Sequence, residues 1–276
     1  MRQILNIMDQ DGRLRALENE SVYVIREAYR KFPRLALLWS MGKDSTVMLW
    51  LARKAFFGRI PIPVVHIDTS YKFPEMVQYR DKMAREWNLD FQLGMNSSAL
   101  AAGMGPERGR LECCKALKTE GLKAFLAEKD YRAVFVAIRR DEEGSRGKER
   151  VFSPRDAQAT WDYREQPPEL WSHYQTECPP GSHMRVHPIL HWTELDMWLY
   201  IRRENIPVLS LYFAKNGKRY RSVGCAPCTG STPSAAATID EIIAELQTTK
   251  VSERAGRAQD HVGKYAMQKL RREGYM

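Results

Sequence analysis

Leu14, Leu17, Val22, Ile25 and Tyr29 recur near the helical period, which predicts an amphipathic helix over about residues 14–29 that lies on a sheet. The pattern then changes. Residues 35–40 read LALLWS, a continuous apolar run ahead of Gly42, as expected of a strand buried on both faces and ending in a turn. A helix is predicted over 45–56, a strand over 64–68 (VVHID), a helix over 74–87, a strand over 91–95, a helix over 114–128 and a strand over 133–138 (AVFVAI). Strands that alternate with helices predict an α/β fold, a doubly wound parallel sheet with right-handed crossovers.

Periodicity fails over residues 139–181, which are dense in charge, proline and tryptophan and read as a long functional loop. A strand is predicted over 185–189, and a helix over 193–203 with Thr193 as its cap and Asp196 three residues on. A loop rich in Lys, Arg, Gly and Cys spans 215–234, Thr238 and Glu241 open a further helix as a capping box, and a basic helix is predicted over 261–272. The expected division is residues 1–205 as the main domain and 206–276 as an extension that folds over the active face.

The 276 residues carry 43 Lys and Arg against 34 Asp and Glu, a net charge of +9. That balance favours anionic partners without choosing among a nucleotide, an oxyanion and a nucleic acid. No apolar run approaches the roughly 20 residues of a membrane span, and the N-terminus lacks the apolar core of a signal peptide. The expectation is a cytoplasmic protein with no membrane contact.

Chemistry concentrates first in Ser40, Met41, Gly42, Lys43, Asp44, Ser45 and Thr46, directly after the first strand. Gly42 admits backbone N–H groups to a phosphate, the hydroxyls add donors, Lys43 neutralises charge, and the following helix aims its positive end at the anion. The spacing is not that of a Walker A loop. Asp68 ends the second strand in the crevice where open parallel sheets bind ligands, a place for a nucleotide's ribose or base or for Mg²⁺, though capping of the next helix is an alternative. The run 139–150 leaves the AVFVAI strand at its carboxyl end, so Arg139, Arg140, Arg146, Lys148 and Arg150 are candidate oxyanion and phosphate clamps. Lys43, Asp44, Arg139 and Arg140 are the candidate catalytic residues.

The loop resembles the PP-loop, S-[GX]-G-K-D-S, of the adenine nucleotide alpha-hydrolase superfamily, with Met41 where glycine is usual. The resemblance implies that ATP is cleaved between its α and β phosphates, and that residues 1–205 are a PP-loop ATP pyrophosphatase domain. LARKAF (51–56), HIDTSYKFPEM (66–76), KTEGLKAFL (118–126), RRDEEGSRGKER (139–150), PELW (168–171), RVHPILHWTELDMWLYI (185–201), SERAGR (252–257) and RREGY (271–275) resemble the small, ATP-using subunit of heterodimeric bacterial sulfate adenylyltransferase. That resemblance implies adenylyl sulfate and pyrophosphate as products, a GTPase large subunit as partner, and Glu253, Arg254 and Arg257 as a motif returning to the nucleotide site, with the two arginines toward the oxyanion.

Four of the five cysteines are paired, as Cys113-Cys114 and Cys225-Ala-Pro-Cys228. Four soft ligands suit an iron–sulfur cluster or tetrahedral zinc, while buried structural thiols are the alternative. The layout resembles adenylyl-sulfate reductases, which implies a 4Fe-4S cluster, but no cysteine follows Cys228 to act as a reductase nucleophile. The chain is also short between Leu211–Ala214 and Val223–Cys225, where the sulfate-activating family often carries an insertion. Two readings therefore stand: adenylyl transfer to sulfate, and activation of DNA or tRNA for sulfur insertion with a cysteine desulfurase as donor.

Overall fold

The computed structural model describes residues 2–164, 166, 168–263 and 265–275. Its elements begin α1 (Arg2–Lys31), β1 (Leu35–Leu38), α2 (Lys43–Ala55), β2 (Val64–Asp68), α3 (Pro74–Glu86), β3 (Phe91–Met95), α4 (Ser97–Ala101) and α5 (Arg110–Cys113). There follow a π-helical stretch (Cys114–Glu120), α6 (Gly121–Glu128), β4 (Ala133–Phe135), β5 (Phe152–Arg155), β6 (His183–Val186) and α7 (Glu194–Glu204). The last elements are β7 (Lys218–Arg219), β8 (Thr232–Pro233), α8 (Ile239–Thr248) and α9 (Ala266–Arg272).

The six-stranded sheet has the order β3-β2-β1-β4-β6-β5, parallel except for β5. The α/β expectation holds, with one antiparallel edge strand added. All four residues of β1 are buried, as are the first four of β2 and all three of β4, which is why these strands read as unbroken apolar runs. From β1 the chain steps outward to β2 and β3, then returns to place β4 on the other side of β1. Strand order therefore reverses between β1 and β4, and ligands bind at the carboxyl ends of strands flanking such a point.

Several boundaries differ from expectation. α1 packs chiefly on α2 rather than on the sheet, and Ser21 in it donates to Pro188 O at 2.8 Å and accepts from Trp192 Nε1 at 3.0 Å. α2 starts two residues before Ser45, so Lys43 and Asp44 form its first turn. The helix predicted over 114–128 begins at Arg110 and passes through the π-helical stretch. β4 stops at Phe135, and β6 lies at 183–186 rather than 185–189. The region 139–181 is not all loop, because β5 pairs antiparallel with β6 inside it. Its sequence, FSPR, hides the strand: Pro154 is tolerated at a sheet edge, and Arg155 is buried against Glu149 at 2.8 Å. The predicted final helix resolves into a 3₁₀ turn (Ala258–His261) and α9, and Lys264 between them lies outside the described residues.

Residues beyond 205 reach back across the sheet. α8 opens on the expected capping box of Thr238 and Glu241 and packs on α7, while single bridges join Lys72 to Cys225 and Thr229 to Arg257. Among the described residues no helix is long and apolar enough to cross a membrane.

Candidate active site

A cleft opens at the carboxyl ends of β1, β2 and β4, lined by Ser40, Gly42, Lys43, Asp44 and Ser45 on one side and by His66, Lys72 and Lys118 on another. The turn out of β1 forces Met41 into the left-handed region, φ 63°. There glycine would be free of strain, but the Met41 side chain is buried in the core in return. Gly42 caps α2 with no side-chain hydrogen bond, so apart from the Lys43 N–H, which Tyr212 takes, the first turn of the helix faces the cleft without a cap. Ser45 Oγ donates to Gly42 O at 3.1 Å and lies 3.1 Å from Ser40 Oγ, and Lys43 N donates to Tyr212 Oη at 2.8 Å. Thr46 Oγ1 accepts from Trp39 Nε1 at 3.2 Å, so Thr46 braces the turn from within the core.

The site's cations are held by carboxylates. Lys43 Nζ pairs with Glu253 and lies 3.4 Å from Asp44; Arg139 pairs with Glu253, with Asp44 at 3.1 Å and with Asp141 at 2.5 Å. Burial opposes the charge on Glu253, but Lys43 and Arg139 overcome it and hold its carboxyl below the usual range. Glu142 joins Arg146 to Arg254 (2.9 Å), and Arg254 also grips Asp260 at 2.6 and 2.8 Å.

A second group of cations gathers around Cys225, whose Sγ lies 3.1 Å from Thr69 Oγ1. Burial would raise this thiol, yet Lys118 and Lys72, with the Thr69 contact and Arg257, bring it down to about 7. Burial, reinforced by Lys118 and Arg257, pulls the Lys72 ammonium down to about 8. His66 Nδ1 donates to Trp39 O at 3.0 Å, and its buried Nε2 has no partner among the described residues.

Of the residues singled out in the sequence, Ser40, Gly42, Lys43, Asp44, Ser45, Arg146, Arg254 and Arg257 line the cleft, and Arg139 reaches it through Asp44 and Glu253. Met41 and Thr46 support the turn from behind. Asp68 is not in the lining; its Oδ1 accepts from Ser70 N at 2.9 Å. Arg140 turns away to donate to Glu149 O at 2.9 Å, Lys148 stacks its Nζ 4.2 Å from the Tyr163 ring centroid, and Arg150 also stands outside the lining. Cys113, Cys114, Cys225 and Cys228 do share a neighbourhood, since the charge of each of the other three bears on Cys113. All are free thiols, and among the described residues no three His, Cys, Asp or Glu side chains are arranged to hold a metal ion. Tyr212, Glu142, Lys72 and Lys118 were not singled out as site residues. The only signal for the two lysines was their place in the HIDTSYKFPEM and KTEGLKAFL segments.

A phosphate loop at a parallel-sheet switch point defines a nucleotide-binding class, and comparison with known proteins agrees. The family model "Phosphoadenosine phosphosulfate reductase domain" matches residues 34–231. The fold alone is shared with FMN adenylyltransferase of Candida glabrata, also solved with ATP (TM-score 0.56, 17% identity, 79% of this chain and 63% of that one). It is likewise shared with yeast FAD synthetase (TM-score 0.52, 16% identity, 88% and 91%).

Sequence carries the assignment further. The chain is 42% identical to sulfate adenylyltransferase subunit 2 of Azotobacter vinelandii over 302 aligned positions, covering 97% of this chain and 99% of the relative. It is also 42% identical to the protein of that name from Pseudomonas paraeruginosa, covering 98% and 100%. The chain thus belongs to the phosphoadenosine phosphosulfate reductase domain family and, within it, to the sulfate adenylyltransferase subunit 2 family.

Proposed function

We propose that this protein is an adenylyltransferase that converts ATP and sulfate to adenylyl sulfate and pyrophosphate. The observation that carries the reading is the N-terminus of α2 at the switch point, uncapped by Gly42 and flanked by buried Lys43 and Arg139, in a chain 42% identical over nearly its whole length to sulfate adenylyltransferase subunit 2. A sulfate oxygen attacks the α-phosphorus, a new P–O bond forms, and the bond to the β-phosphate bridging oxygen breaks with its electron pair leaving on pyrophosphate. Sulfate is already a dianion at neutral pH, so no general base is needed.

Pyrophosphate departs into the Ser40–Ser45 turn, where backbone N–H groups and the two hydroxyls receive it. Lys43 and Arg139 neutralise the charge that grows there, which is where such a reaction gains most of its rate. Asp44, on the cleft wall, is the carboxylate that would hold Mg²⁺ together with phosphate oxygens, since Mg²⁺ needs only one or two protein carboxylates. Arg140 acts indirectly, fixing the 139–150 segment through Glu149 O. Residues 206–276 serve as an extension that completes the site with Glu253, Arg254 and Arg257.

The name of the relatives supports a large-subunit partner, for which a GTPase is our reading. Five free thiols and the use of ATP suit the cytoplasm. Sulfur insertion into nucleic acid is not favoured, because the relatives named above are sulfate adenylyltransferases. The test is sulfate-dependent exchange of labelled pyrophosphate into ATP, with the large subunit present. Exchange that requires sulfate and is lost in Lys43→Ala supports the reading; exchange indifferent to sulfate refutes it.

A further inference from the structure

We propose that the Tyr212 hydroxyl is a substrate contact of the phosphate loop, donating its proton to a β-phosphate oxygen of the leaving pyrophosphate. The inference deepens the adenylyl-transfer reading and rests on it.

Tyr212 ends a 3₁₀ turn (Ser210–Tyr212) and lies 169 positions from Lys43 in sequence, yet its Oη accepts from Lys43 N at 2.8 Å. That N–H is the first amide of α2, one of the donors that a helix end offers to an anion. Here a phenol has taken it, and a hydroxyl that accepts one hydrogen bond is a better donor of the next, because bonds in a chain polarise one another. Tyr212 lines the cleft, and among the described residues its own proton has no acceptor. The serines of the turn differ in this respect. Ser45 Oγ donates to Gly42 O at 3.1 Å, which leaves Ser40 Oγ to donate across 3.1 Å to Ser45 Oγ. Of these three hydroxyls, only that of Tyr212 keeps an uncommitted proton in the free protein.

The position suits a phosphate oxygen. A Cβ on Gly42 would lie 3.4 Å from Ser40 Oγ and 3.6 Å from Tyr212 Oη, so the side chain that glycine omits leaves a notch bordered by both hydroxyls at the first turn of α2. The phenol is also fixed in place. Its ring is buried, meets Trp198 edge-on at 5.5 Å and 84°, and has Lys43 Nζ 5.9 Å from its centroid. A ring held on two sides cannot swing aside, so an arriving phosphate accepts from the hydroxyl instead of displacing it. Burial raises the phenol above its ordinary range and Lys43 only partly opposes this, which keeps the group a proton donor at neutral pH. The role that competes with this one is that of a cap, a hydroxyl that satisfies the Lys43 amide and touches no ligand.

The experiment is calorimetric titration of inorganic pyrophosphate, and separately of AMP, into the full chain as wild type, Tyr212→Phe and Gly42→Ala. Tyr212→Phe keeps the ring against Trp198 and Lys43 and removes only the oxygen. Loss of one charge-assisted hydrogen bond is expected to weaken pyrophosphate binding about tenfold to a hundredfold. AMP has no β-phosphate, so its affinity should stay within about twofold, which also certifies the fold. Gly42→Ala meets only ordinary contacts on an extended backbone and closes the notch, so it should likewise weaken pyrophosphate and spare AMP. Pyrophosphate affinity unchanged in Tyr212→Phe overturns the proposal and leaves the residue a cap. Tighter pyrophosphate binding overturns it too, since the hydroxyl would then be a plug that phosphate displaces, and so does an equal loss for AMP. If Tyr212→Phe lacks a cooperative unfolding transition, Gly42→Ala decides, and unchanged pyrophosphate affinity there overturns the proposal. A loss confined to pyrophosphate, in a protein without sulfate-dependent exchange, upholds the contact and refutes the reaction instead.

Discussion

Glu253, from the extension, binds Lys43 with one carboxylate oxygen and Arg139 with the other, so a single buried side chain bridges both cations assigned to the leaving group. Pyrophosphate must share or displace that carboxylate. Glu253→Gln leaves two buried cations short of a counter-charge and is expected to cost about 3–5 kcal/mol of stability without ligand. Added pyrophosphate should stabilise the variant more than it stabilises wild type, because the ligand supplies the missing charge. Urea denaturation with and without pyrophosphate checks this; equal ligand shifts in the two proteins would remove Glu253 from the site.

Met41 makes a test of the turn itself. Alanine is ordinarily better tolerated than glycine, but at φ 63° the order should invert. Met41→Ala keeps the strain and opens a cavity, at about 2–5 kcal/mol. Met41→Gly opens the same cavity while releasing roughly 1–2 kcal/mol of left-handed strain, so it should be the more stable of the two. Denaturation midpoints decide it, and an alanine variant more stable than the glycine one would contradict the geometry.

How far the sequence revealed this architecture follows from what each signal measures. Strands β1 and β2 were legible because buried parallel strands make plain apolar runs between turn residues, and Thr193 with Asp196 announced α7 through its cap. β5 was not, since a proline and a buried, paired arginine carry none of the expected alternation. The phosphate loop was local in sequence and could be read directly. Lys72, Lys118 and Arg257 are separated by up to 185 positions, and only the fold shows that they meet while lacking the carboxylates that mute their neighbours. The cysteine spacing likewise disclosed proximity but not a ligand geometry.

Acid should weaken the protein through Glu149 and His187. Burial opposes ionisation of Glu149, but Arg155 at 2.8 Å, His187 and Ser153 bring it down from 4.5 to about 2. Burial is the main cause that lowers His187 from 6.5 to about 4. In each case the unfolded chain binds the proton more readily, so stability present at neutral pH is lost as pH falls, from about 6.5 to 4 for His187 and from about 4.5 to 2 for Glu149. For Glu149 the loss is on the order of 3 kcal/mol. Glu149→Gln should be less stable at pH 7 and show a shallower decline below pH 4.5; an unchanged slope in chemical denaturation across that range would refute the assignment.

Alkali should act on the cluster of Lys72, Lys118 and Arg257 around Cys225 and spare the phosphate loop. Lys72 faces Cys225, Lys118, Asp68 and Arg257, and its ammonium in the free enzyme loses its proton near 8, chiefly because of burial. Cys225 gains a negative charge near 7 in the same cluster. Both changes remove net positive charge from the cluster as pH rises. Because kcat/KM reports ionisations of the free enzyme, its value for sulfate should begin to fall near 7 and steepen above about 8 while that for ATP stays level. Lys72→Arg, which keeps its charge, should carry the descending limb to higher pH. Parallel pH profiles for the two substrates make the measurement; a fall of equal steepness for ATP would show that the titrating group belongs to the phosphate cradle.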